Sequence, residues 1–304
     1  MKCNRNGNSV LPDTGLSRDT METPAEPRLK RAVLKYFGGK WRMASWIISH
    51  FPPHKVYVEP FGGGAGVLMN KQPASAEIYN DLNYDAVNYF KVLRDPDMAS
   101  QLAATLALTP YARYEYDHSE DPTNDPVEKA RRYCCSIQMA LGCPGRPSKA
   151  GFNNRLSGWY LPVEGWNNYT QHISSFTSRL KEVSIECRPA LKVIETYDTD
   201  ETLFYCDPPY VHKARSSNRT YKYEMSDQDH IDLAERLHNL KGMAVISGYQ
   251  SDLYSELYAD WPSFTHSART EMNFQRTECI WLSPRTDEAL KAACASSLPL
   301  LERL

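Results

Sequence analysis

The stretch KVYVEPFGGGAGVLMN, residues 55–70, decides the fold. Val56–Val58 is a short β-branched and aromatic run that reads as a buried strand. It runs directly into Glu59–Pro60–Phe61 and then into Gly62, Gly63, Gly64 and Gly66. Proline cannot donate to a sheet ladder, and glycine permits positive φ and close backbone approach. The expected order is strand, glycine turn, helix start. The next stretch, AEIYNDLNYDAVNYFKVL (residues 76–93), repeats the theme with a strand over Glu77–Asn80, a turn at Asp81–Asn83 and a helix to Leu93. Such alternation predicts a parallel α/β sheet.

Upstream, GKWRMASWIISHF (residues 39–51) spaces Met43, Trp46, Ile47 and Ile48 as a helix after Gly38–Gly39. Residues 1–30 are polar, hold Pro12, Pro24 and Pro27 and show no apolar period, so they read as a flexible leader. Downstream, the alternation breaks near Asp95. Helical pieces such as DPVEKARRYCCSIQMAL and a Gly/Pro/aromatic stretch, GCPGRPSKAGFNNRLSGWYLPVEGWNNY, occupy residues 95–179. Strands resume at Val183–Cys187, Leu203–Cys206 and Ala244–Ser247. A helix DQDHIDLAERLHNL, capped by Ser226 or Asp227, lies between the last two. SFTHSA and ECIWLS, separated by a polar turn, predict an antiparallel pair at the sheet edge. The expected architecture is a doubly wound, mostly parallel seven-stranded α/β sheet. A core from residues 31–94 and 180–304 is interrupted by a largely helical insertion, 95–179.

The 304 residues carry a net charge of -2, so bulk charge gives no support to nucleic-acid binding, and any such claim depends on where the charges sit. The 8 cysteines include no C-x-x-C pair, which argues for reduced thiols in a cytoplasmic setting and against a zinc site. No metal is expected. There is no long apolar run to cross a membrane and no signal-peptide core.

Three strand ends carry polar chemistry, and ligands in open α/β sheets sit beyond the carboxyl ends of strands. The glycine turn could hold a nucleotide, a dinucleotide or nothing. It is not a phosphate-cradling loop, because no Gly-Lys-Ser/Thr follows. Asp81 ends the second strand, where a carboxylate can accept two hydrogen bonds from ribose hydroxyls, although surface turns also contain Asn-Asp. The third end is Asp207–Pro208–Pro209–Tyr210. A proline-stiffened loop explains the prolines but not the acid and the ring. A clamp for a planar amine explains all four: Asp207 and a main-chain carbonyl accept from the amino group while Tyr210 stacks on the ring that bears it. Val211–Tyr223 follows with His212, Lys213, Arg215, Arg219 and Lys222, either a solvated charge run or a phosphate grip. Ser247–Gly248–Tyr249 reads as pocket wall or plain turn. Trp159, Trp166 and the Cys134–Cys135 pair read as packing.

Taken together, LKYFGGK (residues 34–40), VEPFGGGAGV (58–67), NDLN (80–83) and YCDPPY (205–210) resemble the ordered motifs of the Dam-like adenine-specific DNA methyltransferases. They frame residues from about 33 to 283. The resemblance implies a Rossmann-like methyltransferase fold, S-adenosyl-L-methionine as cofactor and transfer of its methyl group to the N6 amine of a flipped-out adenine in double-stranded DNA. It implies Tyr36, Lys40, Glu59, Phe61, Gly62, Gly64, Asp81 and Asp207 as cofactor-binding residues, and Asp207, Pro208, Pro209 and Tyr210 as the catalytic motif. Lys213, Arg215 and Arg219 would meet phosphates, and Val211–Tyr223 would order on DNA. Arg146, Lys149 and Arg155 in the insertion, the target-recognition region, are further candidates for DNA, or plain soluble surface. That insertion holds only GFNN and WYLPVEGW where GATC readers share a longer pattern, so the target sequence does not transfer. Methylation of a cytosine amine or of RNA adenine, and a catalytically silent binding subunit, remain alternatives. A nicotinamide-dependent dehydrogenase would need a G-x-G-x-x-G turn, which FGGGAGV does not supply. The resemblance also implies a nucleoid setting and leaves open a partner restriction enzyme.

Overall fold

The computed structural model describes residues 29, 31–142, 151–155, 161–211, 222–269 and 275–297. Seven strands form one sheet: β1 (Val56–Glu59), β2 (Ala76–Asn80), β3 (Val183–Glu186), β4 (Thr202–Cys206), β5 (Met243–Gly248), β6 (Ser263–Arg269) and β7 (Gln275–Leu282), in the order β3-β2-β1-β4-β5-β7-β6. Pairings among β1 to β5 are parallel, whereas β7 runs antiparallel to both β5 and β6. The mostly parallel sheet with an antiparallel end agrees with the expectation.

Strand order reverses between β1 and β4, where Val56 pairs with both Ala76 and Thr202. A crevice opens beyond the carboxyl ends of strands at such a reversal, because the chain leaves the two strands toward opposite faces. Both the glycine turn after β1 and the Asp207 tip after β4 lie there. Alternate strand residues feed two cores. Val58, Phe204 and Ile246 pack with Val193 and Ile194 of α8 (Ala190–Tyr197) and with Leu233 and Leu237 of α9 (Asp227–His238). Tyr57, Tyr79, Leu203 and Val245 face the other way, toward α2 (Tyr84–Arg94).

Helix starts follow local chemistry. The Asn83 side chain accepts from Asp85 N–H at the head of α2, and Ser226 and Asp229 form a reciprocal capping box at the head of α9. Between β2 and β3, beyond α2, the described residues form five helices: α3 (Pro96–Leu108), α4 (Arg113–Asp117), α5 (Pro126–Gln138), α6 (Pro162–Thr170) and α7 (Ile173–Leu180). Their apolar faces join the core of α2 and the sheet through Cys134, Cys135, Trp166, Tyr169 and Phe176. Trp166 Nε1 donates to the Thr109 carbonyl at 2.9 Å, and Tyr169 Oη, in contact with Tyr89 Oη, donates to the Val33 carbonyl at 2.6 Å.

One local expectation needs correction: no helix starts after the glycines. Gly63 and Ala65 take φ of 48° and 53°, and the chain passes through consecutive turns to Lys71, with Met69 N–H donating to the Ala65 carbonyl and Lys71 N–H to the Val67 carbonyl. Left-handed residues cannot nucleate a right-handed helix. The helix expected after Gly38–Gly39 is present as α1 (Ala44–Ile48). Three helices had no sequence-based expectation: α8, α10 (Asp252–Leu257) and α11 (Pro284–Ser297).

Candidate active site

The glycines are spent on packing as much as on openness. A Cβ at Gly62 would lie 2.3 Å from Tyr79 Cε2 and 3.0 Å from the Asn80 carbonyl, and one at Gly64 would lie 2.9 Å from Tyr36 Cβ. One at Gly66 would meet Trp41 N at 2.8 Å. The turn is therefore pressed against the segment Tyr36–Trp41, and that contact shapes one pocket. Tyr36, Lys40, Glu59, Phe61, Gly62, Gly64, Asp81 and Asp207, the eight residues expected from the sequence, all line it, as do Tyr223 and Met225.

Asp81 sits at the end of β2 with both oxygens engaged. Oδ2 accepts Gly63 N–H at 2.8 Å and Oδ1 accepts Asn83 N–H at 2.7 Å. Burial raises its pKa, opposed by these two backbone donors. An ionised carboxylate can accept about four hydrogen bonds, so capacity remains for a ligand. Glu59 is buried at the end of β1. Its Oε1 accepts from both Tyr57 Oη and Leu68 N–H, each at 2.7 Å. Burial pushes its pKa up to about 8 against those two hydrogen bonds.

The tip of β4 carries the residues expected to form an amine clamp. Asp207 is held from two sides: Lys40 Nζ lies 2.8 Å from Oδ1 and 2.9 Å from Oδ2, and Ser247 Oγ donates to Oδ1 at 2.8 Å. Ser247 is itself 3.1 Å from Tyr205 Oη. The Lys40 ammonium also donates to the Gly38 carbonyl at 2.8 Å and stands 4.8 Å from the centre of the Tyr210 ring. Tyr210 is buried, donates its hydroxyl to Glu278 Oε2 at 2.7 Å and meets Tyr249 edge-on at 4.6 Å. A cationic nitrogen thus occupies the ground between carboxylate and ring that the clamp reading reserves for an amine. Pro209 lines the pocket and Pro208 is buried.

The sequence alone leaves Ser247 between wall and turn; its hydrogen bond to Asp207 makes it a support of that carboxylate. The motifs do not point to Glu278, or to Tyr223 and Met225 as pocket residues. Glu278 had a signal: along β7 it stands two and four residues before Ile280 and Leu282, on the face they bury.

The DNA-directed candidates fare differently. Arg155 is exposed beside GFNN, which folds back so that Ala140 bridges Phe152 and Tyr111 Oη donates to the Asn153 carbonyl. Arg146, Lys149, Lys213, Arg215, Arg219 and Trp159 lie outside the described residues. At the described end of that loop, Lys222 pairs with Asp85 at 3.1 Å.

Comparison with known proteins agrees with this geometry. A model of the D12 class N6 adenine-specific DNA methyltransferases matches residues 36–273. The chain is 26% identical over 256 residues to the type II methyltransferase M.MjaIII of Methanocaldococcus jannaschii, covering 75% of this chain and 88% of that protein. It is 26% identical over 251 residues to the DNA adenine methylase of Haemophilus influenzae, covering 77% and 85%. It is 24% identical over 238 residues to the DNA adenine methylase of Escherichia coli, covering 75% and 84%.

Proposed function

This chain belongs to the D12 class N6 adenine-specific DNA methyltransferase family, with S-adenosyl-L-methionine as methyl donor, and from that premise we propose how its own residues carry the transfer. The observation that carries the proposal is the meeting of Lys40, Asp207 and Tyr210 at the edge of the glycine-turn pocket. The pocket residues suit the cofactor. Asp81 has remaining acceptor capacity for ribose hydroxyls, Gly62 and Gly64 let Tyr79 and Tyr36 pack closely against the turn that lines the pocket, and Tyr36, Lys40, Glu59 and Phe61 would surround the methionine end.

The cofactor supplies an electrophilic methyl group on a sulfonium. The acceptor nitrogen of adenine is a poor nucleophile because its lone pair is delocalised into the ring. Asp207 and the Pro208 carbonyl would accept its two N–H hydrogens and draw the nitrogen toward sp³ character. Tyr210 would stack on the base. Orientation of this kind contributes several kcal/mol to a barrier. The nitrogen lone pair forms the new N–C bond as the C–S bond breaks, and the extra proton leaves to Asp207 or to water. Because Lys40 now fills the space between Asp207 and Tyr210, the arriving amine has to displace its ammonium.

The substrate we propose is double-stranded DNA with the target adenine flipped out, at a cost of about a few kcal/mol. Lys213, Arg215 and Arg219 would grip phosphates. Arg146, Lys149 and Arg155 would contribute to site choice. Among the described residues no helix is long and apolar enough to cross a membrane. We place the enzyme in the cytoplasm with the nucleoid.

The test is incubation of purified protein and S-adenosylmethionine with unmodified genomic DNA, followed by sequencing of modified bases. N6-methyladenine in one sequence context supports the reading. Methylcytosine, or methylation of RNA only, overturns it. Replacing Lys213, Arg215 and Arg219 with alanine should weaken DNA binding across all sequences and flatten its salt dependence, since phosphate contacts release counterions.

A further inference from the structure

We infer that Glu278 is a positioning residue for the Tyr210 ring, an inference that rests on the reading of Tyr210 as the surface on which the acceptor base stacks. The topology brings it there. β7 runs antiparallel to β5, with Gly248 opposite Cys279. The beginning of β7, not its end, therefore lies at the end of the sheet where β4 and β5 terminate. Glu278 is on the face of β7 that Ile280 and Leu282 bury, and a carboxylate on such a face needs a polar partner. Its Oε2 has one in the Tyr210 hydroxyl at 2.7 Å.

The consequence for the ring is geometric. A tyrosine ring fixed only at Cβ can tilt about its two side-chain torsions. The hydroxyl bond to Glu278 adds a second anchor at the far end of the ring, and the edge contact with Tyr249 at 4.6 Å and 74° adds a third from the side. Stacking is sensitive to ring tilt. A pre-set ring loses no orientational freedom when a base arrives, and the carboxylate makes the bond a charge-assisted one. Asp207 is braced from β5 by Ser247 and Tyr210 from β7, one strand further out, by Glu278, so each half of the clamp leans on a different strand.

The test is a double-mutant cycle with Glu278→Ala and Tyr210→Phe, supplemented by Glu278→Gln. It is run on full-length protein with an oligonucleotide containing the methylated site found by sequencing. Tyr210→Phe keeps the ring and removes only the hydroxyl. Single-turnover methyl transfer, S-adenosylmethionine affinity, and fluorescence of 2-aminopurine at the target position are measured. Each of the two changes should slow transfer about tenfold, the effect of one hydrogen bond to a charged group. The double variant should be no slower than either single one, and cofactor affinity should hold within about twofold. Glu278→Gln, whose amide oxygen still accepts, should restore most of the rate. The 2-aminopurine signal should rise in the impaired variants as quenching by the stacked ring weakens. Full rate in Tyr210→Phe, or losses that multiply in the double variant, or a loss of cofactor affinity matching the loss of rate, overturns the inference. Should Glu278→Ala fail to fold, Tyr210→Phe decides alone, because it leaves β7 untouched. Asp207→Ala separates the two levels: methylation surviving there removes the clamp reading itself, whereas a dead Asp207→Ala beside a fully active Tyr210→Phe removes only the role of Glu278.

Discussion

Lys40 Nζ bridges both carboxylate oxygens of Asp207, at 2.8 Å and 2.9 Å, from a sequence position 167 residues away. The pair is mostly shielded, with side-chain exposures of 6% and 18%. Removing one partner strands the other charge in poorly hydrated surroundings. Lys40→Met or Asp207→Asn alone should cost about 3 kcal/mol of stability. The double variant should be more stable than the sum of the singles predicts, by more than about 1 kcal/mol. Urea unfolding of the four proteins measures this; strict additivity would mean that the pair is energetically idle.

Asp207→Ala should reduce methyl transfer about a thousandfold or more, because it deletes the acceptor for the target amine as well as the partner of Lys40. Radiolabelled methyl transfer to DNA, with circular dichroism as a control for folding, provides the check. Near-normal turnover in a folded variant would refute the clamp.

Asp81→Ala should weaken S-adenosylmethionine binding by about tenfold or more, given about 1.5–3 kcal/mol for hydrogen bonds to a charged group. Affinity for DNA should change far less. Calorimetric titration of each ligand distinguishes them. Equal losses would assign Asp81 solely to bracing Gly63 and Asn83.

A methyl group at Gly62 would collide with the Tyr79 ring at 2.3 Å and 2.5 Å. Tyr79 is fully buried and donates its hydroxyl to the Gly63 carbonyl at 2.8 Å, so it cannot swing aside freely. Gly62→Ala should lose about 1–3 kcal/mol of stability and most of its cofactor affinity. A thermal melt with and without S-adenosylmethionine tests both parts; an unshifted melting temperature contradicts the packing argument.

Glu59 gives a pH signature. Burial raises its pKa to about 8, from an ordinary value of 4.5. Between those values the native state holds a proton that the unfolded chain has released. Its contribution is therefore fully present below pH 4.5 and is lost progressively as pH rises to about 8, then stays level. Glu59→Gln keeps an oxygen for Tyr57 and Leu68 and cannot ionise. It should flatten the slope of stability between pH 5 and 8 and leave the variant about 2 kcal/mol or more above the parent at pH 8.5. Parallel slopes for the two proteins would show that Glu59 does not titrate in this range.

The strand ends that carry chemistry were legible because each has a local signature: glycines after Val58, Asp81 after Asn80, two prolines after Asp207. All eight expected cofactor residues converge on one pocket for that reason. The partners of the clamp were not legible in the same way. Ser247 and Glu278 depend on the lateral order of strands and on the antiparallel sense of β7, which no local window contains. The helix expected after the glycines fails for a related reason. Close contact with Tyr36–Trp41 and two left-handed residues override the apolar pattern of Val67–Met69. The helical periodicity of Pro126–Gln138 was legible locally, while the packing of that helix into the core of α2 depends on long-range contacts.

The contact between Gly66 and the main chain of Lys40 has a thermodynamic consequence. A Cβ there would come within 3.2 Å of Lys40 N, so the donor-side turn and the lysine backbone cannot shift independently. At its other end the same lysine grips Asp207 on the acceptor side. With the pocket holding the cofactor and Asp207 the target amine, as proposed above, this residue would link the two sites. The expected outcome is mutual: whatever factor S-adenosylmethionine imposes on DNA affinity, DNA should impose equally on S-adenosylmethionine affinity.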